Sequence, residues 1–256
     1  MTEAPPLDLL RPRNIGELFR DAFNAYSRYF LSFATIGLAV VVPVEFVVAG
    51  IGLGQLGDNY STTVTPAEGI VSSIAGYLVV GPLITAMIVH GLLVMADGRK
   101  PRPLECITTG LEAFRAMFIP VLAAGALTLC GLLFFILPGV WLAVRWYFTP
   151  QSVVVDGRRG FAALERSAEL VRGAWWRVAG IVLFTAIAVF IPTRLILFGF
   201  SAAGSAADSQ GLVLAGQALA GALAAPFAAL MLTLLYFDLL ARRSLPAMVP
   251  PVQPPR

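Results

Sequence analysis

Residues 138–157 read PGVWLAVRWYFTPQSVVVDG, and whether this stretch crosses a bilayer decides the layout of the whole chain. Its apolar part, residues 139–155, is close to the shortest helix that spans a hydrocarbon core of about 30 Å. It also carries Arg145, and an unpartnered charge within a bilayer is costly. Counted as a span, the stretch is the fourth of six. Without it five remain, and the arginines of residues 158–177 fall on the opposite side from the other basic segments.

The rest of the chain is built in the same style. Of its 256 residues 58% are apolar and 13% charged, against about 25% charged in soluble globular domains. The apolar mass lies in continuous runs, about 29–53, 70–95, 117–137, 139–155, 178–200 and 212–240. Such runs predict an all-α, polytopic membrane helix bundle, because a helix satisfies its own backbone hydrogen bonds in lipid. An outer-membrane barrel is excluded, since it needs short segments of alternating polarity. Residues 1–12 and 244–256 are proline-rich and read as flexible ends around a single domain, 13–243. No secretory signal is visible: the first apolar run is too long for one and is expected to stay in the protein.

Three amphipathic stretches precede the first, third and fifth runs. In residues 14–28, Leu18, Phe19, Ala22, Phe23 and Tyr26 recur at helical spacing opposite Arg20, Asp21 and Arg28. Asn14 followed by Glu17 has the form of a capping box. Residues 104–118 align Ile107, Leu111 and Phe114, and residues 156–177 align Phe161, Leu164, Ala168 and Val171. The chain therefore reads as three hairpins, each introduced by an interfacial helix.

Charge supplies the orientation. The net charge is only +3, but with six spans every basic loop residue falls on one side and the other side holds Asp58, Glu68 and Asp208 without a base. That asymmetry places both termini and all three interfacial helices in the cytoplasm. Arg20, Arg28, Arg99, Arg102, Arg158, Arg159, Arg172 and Arg177 are then candidate contacts for anionic headgroups. Nucleic acid is a poor partner, because the bases flank spans and form no separate soluble module.

PRNIGELFRDAFNAYSRYF, the central PGVWLAVRWYFTPQSVVVDGRRGFAALERSAELVRGAWWRVAG and the closing LLYFDLLARR together resemble one family. It is the bacterial glycerophosphodiester phosphodiesterase membrane-domain family, with its stand-alone six-helix relatives. The resemblance covers most of residues 12–243 and implies a helical membrane fold in the bacterial inner (plasma) membrane. In some relatives this domain is fused to a soluble phosphodiesterase. Here a single histidine and the lack of an acidic metal-binding cluster leave no such domain to carry over, so the resemblance transfers no catalytic residue.

Three ionisable residues lie inside the spans, Glu45, Arg145 and Arg194. Counting about 1.5 Å per residue brings all three into the outer half of the bundle. Pro43 and Pro192 each stand two residues earlier and free backbone carbonyls nearby. The three are a candidate polar cluster, Glu45 paired to one of the arginines and a positive charge left for an anionic group. The competing expectation is a structural ion pair, or arginines reaching for the outer headgroups.

The remaining polar residues suit simpler roles. His90 belongs at the cytoplasmic boundary and lacks metal-binding neighbours. Asp238 pairs with Arg242 four residues on, and Ser167, Thr108 and Thr109 have no base beside them. Trp141 is expected in an outer aromatic belt and Trp175-Trp176 in an inner one. Gly81-Pro82 predicts a kink, Gly50 and Gly54 form a GxxxG pair, and Gly216, Ala220, Gly221, Ala224 and Ala225 form a small face that packs on another helix. Cys106 and Cys130 are expected to stay unpaired. No residue is assigned to catalysis, to a cofactor or to a metal. The expected protein is a non-enzymatic envelope component that engages membrane lipids, a second copy or another protein. The alternative is a small-molecule or lipid transporter working through Glu45, Arg145 and Arg194.

Overall fold

The computed structural model describes residues 8–51, 70, 73–207 and 209–248. Asp58, Glu68, Asp208 and Gly54 lie outside those residues, as do 1–7 and 249–256 of the two end segments. Every regular element among the described residues is helical.

The first helix, α1 (Ile15–Arg28), starts where Asn14 donates its backbone N–H to the Glu17 carboxylate at 2.7 Å. It buries Leu18, Ala22 and Ala25 and leaves Arg20, Asn24 and Arg28 exposed. At Tyr29 the chain turns by 86° into α2 (Phe30–Ile51). The expected kink at Gly81-Pro82 is a π-helical turn, Gly76–Val80, leading into α3 (Gly81–Ala96). There the Gly81 N–H bonds to the Gly76 carbonyl. Pro82 has no N–H and would press on the turn below it, and one extra residue in the ladder relieves that conflict.

Residues 104–118 are not a separate interfacial helix. They form the first half of α4 (Pro103–Phe134), 32 residues without a break, because no proline or capping turn separates Leu104 from Ile119. The stretch 138–157 is corrected the other way, since it is not one continuous helix. After Phe135 the chain reverses into α5 (Ile136–Arg145), turns through Trp146–Phe148, and restarts as α6 (Thr149–Asp156). Pro150, in the first turn of α6, cannot donate to a helix arriving from before it. Gly157 ends α6 with φ +65°, a conformation that favours glycine. Then come α7 (Phe161–Val171), α8 (Trp175–Ala206) and α9 (Gln210–Met248).

Among the described residues four helical stretches are long and apolar enough to cross a membrane: Ser73–Ala96, Pro103–Phe134, Trp175–Ala206 and Gly211–Ser244. The bent pair α1–α2 makes a fifth if counted as one span. The bundle is centred on α9, whose residues Leu230 to Phe237 are buried against α2, α3 and α8. Small residues let the backbones close in. A Cβ on Gly37 of α2 would collide with the Ala222 carbonyl oxygen of α9. The small face of α9 packs as expected, Gly216 against Phe200 of α8 and Gly221 against Val41 of α2. By contrast α8 is only 11% buried over its most apolar window and exposes Leu183, Ile187, Phe190, Leu195 and Phe198. An apolar face of that extent has its low-energy surroundings in acyl chains rather than water.

Candidate functional site

Glu45, Arg145 and Arg194 do not come together. Among the ion pairs of the described residues none joins any two of them. Arg194 is exposed on α8 and lies over the Phe190 ring, 4.7 Å from its centroid. Arg145 ends α5, and its carbonyl accepts a hydrogen bond from the Ser167 hydroxyl of α7 at 3.0 Å. The separate belts expected for Trp141 and Trp175 also meet: the Trp175 indole N–H donates to the Trp141 carbonyl at 3.3 Å. Because α5 is short and ends in a turn, it carries Trp141 and Arg145 to the end of the bundle where α8 begins.

Arg145 takes part in a different constellation. Its guanidinium lies over the Trp141 ring, 4.7 Å from the centroid. Both residues line a recess of about 410 Å³ between α5 and α7, shared with Trp146, Glu165, Glu169 and Arg172. Neither Arg145 nor Arg172 has a carboxylate within ion-pair distance among the described residues. Glu169 faces Arg166 at 3.6 Å. Two free guanidinium groups, an unpaired Glu165 and indole walls thus share one opening, a chemistry suited to phosphate and to ammonium.

The strongest polar network was only half visible in the chain. Asp238, 0% exposed, accepts the Arg13 backbone N–H at 2.6 Å, Arg177 Nη2 at 2.9 Å and Arg242 Nε at 3.0 Å. Arg177 and Arg242 also both donate to the Arg13 carbonyl, at 2.6 and 2.9 Å. The Arg13 side chain, 1% exposed, reaches Asp21 at 3.0 Å and the carbonyls of Asp8, Leu9 and Arg11. This knot ties residues 8–13 and α1 to α8 and α9. Arg177 is therefore withdrawn from the expected headgroup contacts and committed to a buried carboxylate. Arg20, Arg28, Arg99, Arg102, Arg158, Arg159 and Arg172 are exposed.

A second group lies close by. Asp156, at the end of α6, accepts Arg166 Nε at 2.5 Å and the Tyr236 hydroxyl at 2.8 Å. Burial opposes the charge on Arg166, but the bond and the charge of Asp156 outweigh it and hold the guanidinium pKa above its ordinary value. Arg243 donates to the Glu169 and Arg172 carbonyls that end α7. Ser167 is buried, accepting the Phe148 N–H at 3.1 Å while it donates to Arg145, so it stitches the α5–α6 break. His90 faces Glu105 at 3.5 Å. Among the described residues no group of three or more His, Cys, Asp or Glu is placed to hold a metal ion.

A family model described as a domain of unknown function, DUF7847, matches residues 84–239. That stretch runs from α3 into α9 and contains the recess, the α5–α6 break and Asp238. No curated protein and no solved structure matches the chain.

Proposed function

Because the chain belongs to the DUF7847 domain family, which carries no assigned role, we propose its function from its own geometry: a non-catalytic integral membrane protein that holds phospholipid headgroups at the cytoplasmic surface of the bacterial inner membrane. The recess between α5 and α7 is the observation that carries this reading. Arg145 and Arg172 would take the phosphate, while Glu165 and the faces of Trp141 and Trp146 suit an ammonium. Two arginines and two glutamates balance in charge, which fits a zwitterionic phospholipid better than a free anion. The exposed arginines of the turns add a less specific attraction to anionic lipids.

In this arrangement α5 and α6 together form one broken crossing, giving six with the α1–α2 pair. Both termini then lie in the cytoplasm. The break borders the headgroup recess, and there Ser167 accepts the Phe148 N–H and donates to the Arg145 carbonyl, so the irregular backbone is not left unpaired. Transport through a Glu45, Arg145 and Arg194 cluster has no support, since the three form no ion pair with one another.

Lipid retention gives the test. The full-length protein is purified with phosphatidylethanolamine and phosphatidylglycerol, and bound lipid is counted by native mass spectrometry. The double variant Arg145→Gln/Arg172→Gln is expected to lose about a hundredfold in phosphatidylethanolamine affinity, about tenfold for each lost charge-assisted contact. Unchanged retention in a folded double variant would remove the proposal.

A further inference from the structure

A second cavity, of about 490 Å³, lies among α3, α4, the α5–α6 break and α9. None of the residues lining it is an acid, lysine, arginine or histidine. Two backbone irregularities converge on it. Gly76 and Tyr77 of the π-helical turn form one wall, and Trp146, Tyr147 and Thr149 of the α5–α6 break form another. Departures from regular helix inside a membrane protein mark functional cavities more often than chance packing, because each has a cost that a straight helix avoids.

The polar group inside is specific. Gln151 is 3% exposed, lines this cavity, and its Oε1 has no hydrogen-bond partner. A buried amide oxygen left unpaired is destabilising, and a ligand that donates to it recovers that loss. The mouth is also defined. Tyr77 and Leu129 line the cavity yet are 51% and 58% exposed on the bundle's outer surface. In a membrane, that surface faces acyl chains, so the occupant enters from the lipid.

From these features we infer that the cavity is a binding site for a neutral single-chain lipid bearing a free hydroxyl, its chain among the apolar walls and its O–H donating to Gln151 Oε1. The volume lies within the usual range for small-ligand sites, about 300–1,000 Å³. A charged headgroup would find no counter-charge there. This inference is independent of the headgroup recess, although Trp146 borders both.

Oleyl alcohol and oleyl methyl ether differ only in the hydroxyl donor and provide the test. Each is titrated into the full-length protein in nanodiscs, with empty nanodiscs correcting for partitioning, and occupancy is read by native mass spectrometry. The alcohol is expected to bind about tenfold more tightly, the preference an otherwise unsatisfied buried acceptor confers. Gln151→Met keeps the bulk, removes the acceptor and should abolish the preference while both ligands still bind. Ala124→Phe fills the space beside Gly125 and should exclude both. Equal affinity for alcohol and ether in the unaltered protein, or an undiminished preference in Gln151→Met, would overturn the assignment. The ligand comparison in the unaltered protein stands even if a variant fails to fold.

Discussion

Asp238 is a fully buried charge on which donors from three separate parts of the chain converge. Its carboxylate is out of water and accepts from two guanidinium groups and one backbone N–H. Removing one partner of a buried pair costs more than the pair contributes, because the remaining charge stays poorly solvated. Arg177 and Arg242 keep 27% and 38% of their side-chain surface and can partly turn to solvent, which softens the loss. Asp238→Ala is therefore expected to lower stability by about 3 kcal/mol, the lower end for breaking a buried ion pair. Asp238→Asn, still an acceptor, should cost less than half of that. Thermal unfolding of both variants in the same detergent checks the order, and equal melting of the two would mean that the amide acceptor retains nothing and the whole loss lies with the charge. Only the Arg242 half of this knot was legible in the sequence, because a four-residue helical spacing is local. Arg13 and Arg177 stand 225 and 61 positions away from Asp238, and no local pattern announces such contacts.

At the scale of elements, the short fourth stretch shows what composition reveals and what it hides. Its apolar content marked it as membrane-buried, but period and length did not reveal that it breaks at Trp146–Phe148. Pro150 was the available signal, since proline opens a helix more readily than it continues one. Glu45, Arg145 and Arg194 were grouped by depth alone, and depth along a helix does not say which neighbour a side chain faces: Arg145 lies over Trp141 and Arg194 over Phe190. The opposite error came at α4, where an amphipathic pattern concealed a helix that runs straight on. Ser167 has the clearest consequence. Its hydroxyl serves Phe148 and Arg145 at once, so Ser167→Ala leaves a buried N–H and a carbonyl short of partners. A loss of about 1–3 kcal/mol is expected. Thr108→Ala, on the exposed surface, should be neutral. Parallel thermal melts decide it, and a Ser167→Ala protein as stable as the Thr108 control would show that the break holds itself.

For the whole molecule, the charge asymmetry and the packing point to one arrangement. Arg13, Asp21, Arg177, Asp238 and Arg242 form one knot, and Asp156, Arg166 and Tyr236 lie beside it, so the ends of α1, α6, α8 and α9 gather at one pole of the bundle. A chain that returns to that pole after α6 has made an even number of passes by then. An even number fits the proposed six-crossing layout, in which α5 and α6 count as one passage despite their break. The exposed Arg158 and Arg159 follow α6 directly, and holding them in the cytoplasm is what the positive-inside preference favours. Sidedness reporters test this without any assumption about function. Fusions truncated after Gly98 and after Gly157 should both report cytoplasm, and one placed between Asp58 and Glu68 should report periplasm. A periplasmic signal after Gly157 would mean that α5 and α6 return to the face they left. The recess of Arg145 and Arg172 would then open to the outer leaflet, and the lipids to try against it would be those of that leaflet.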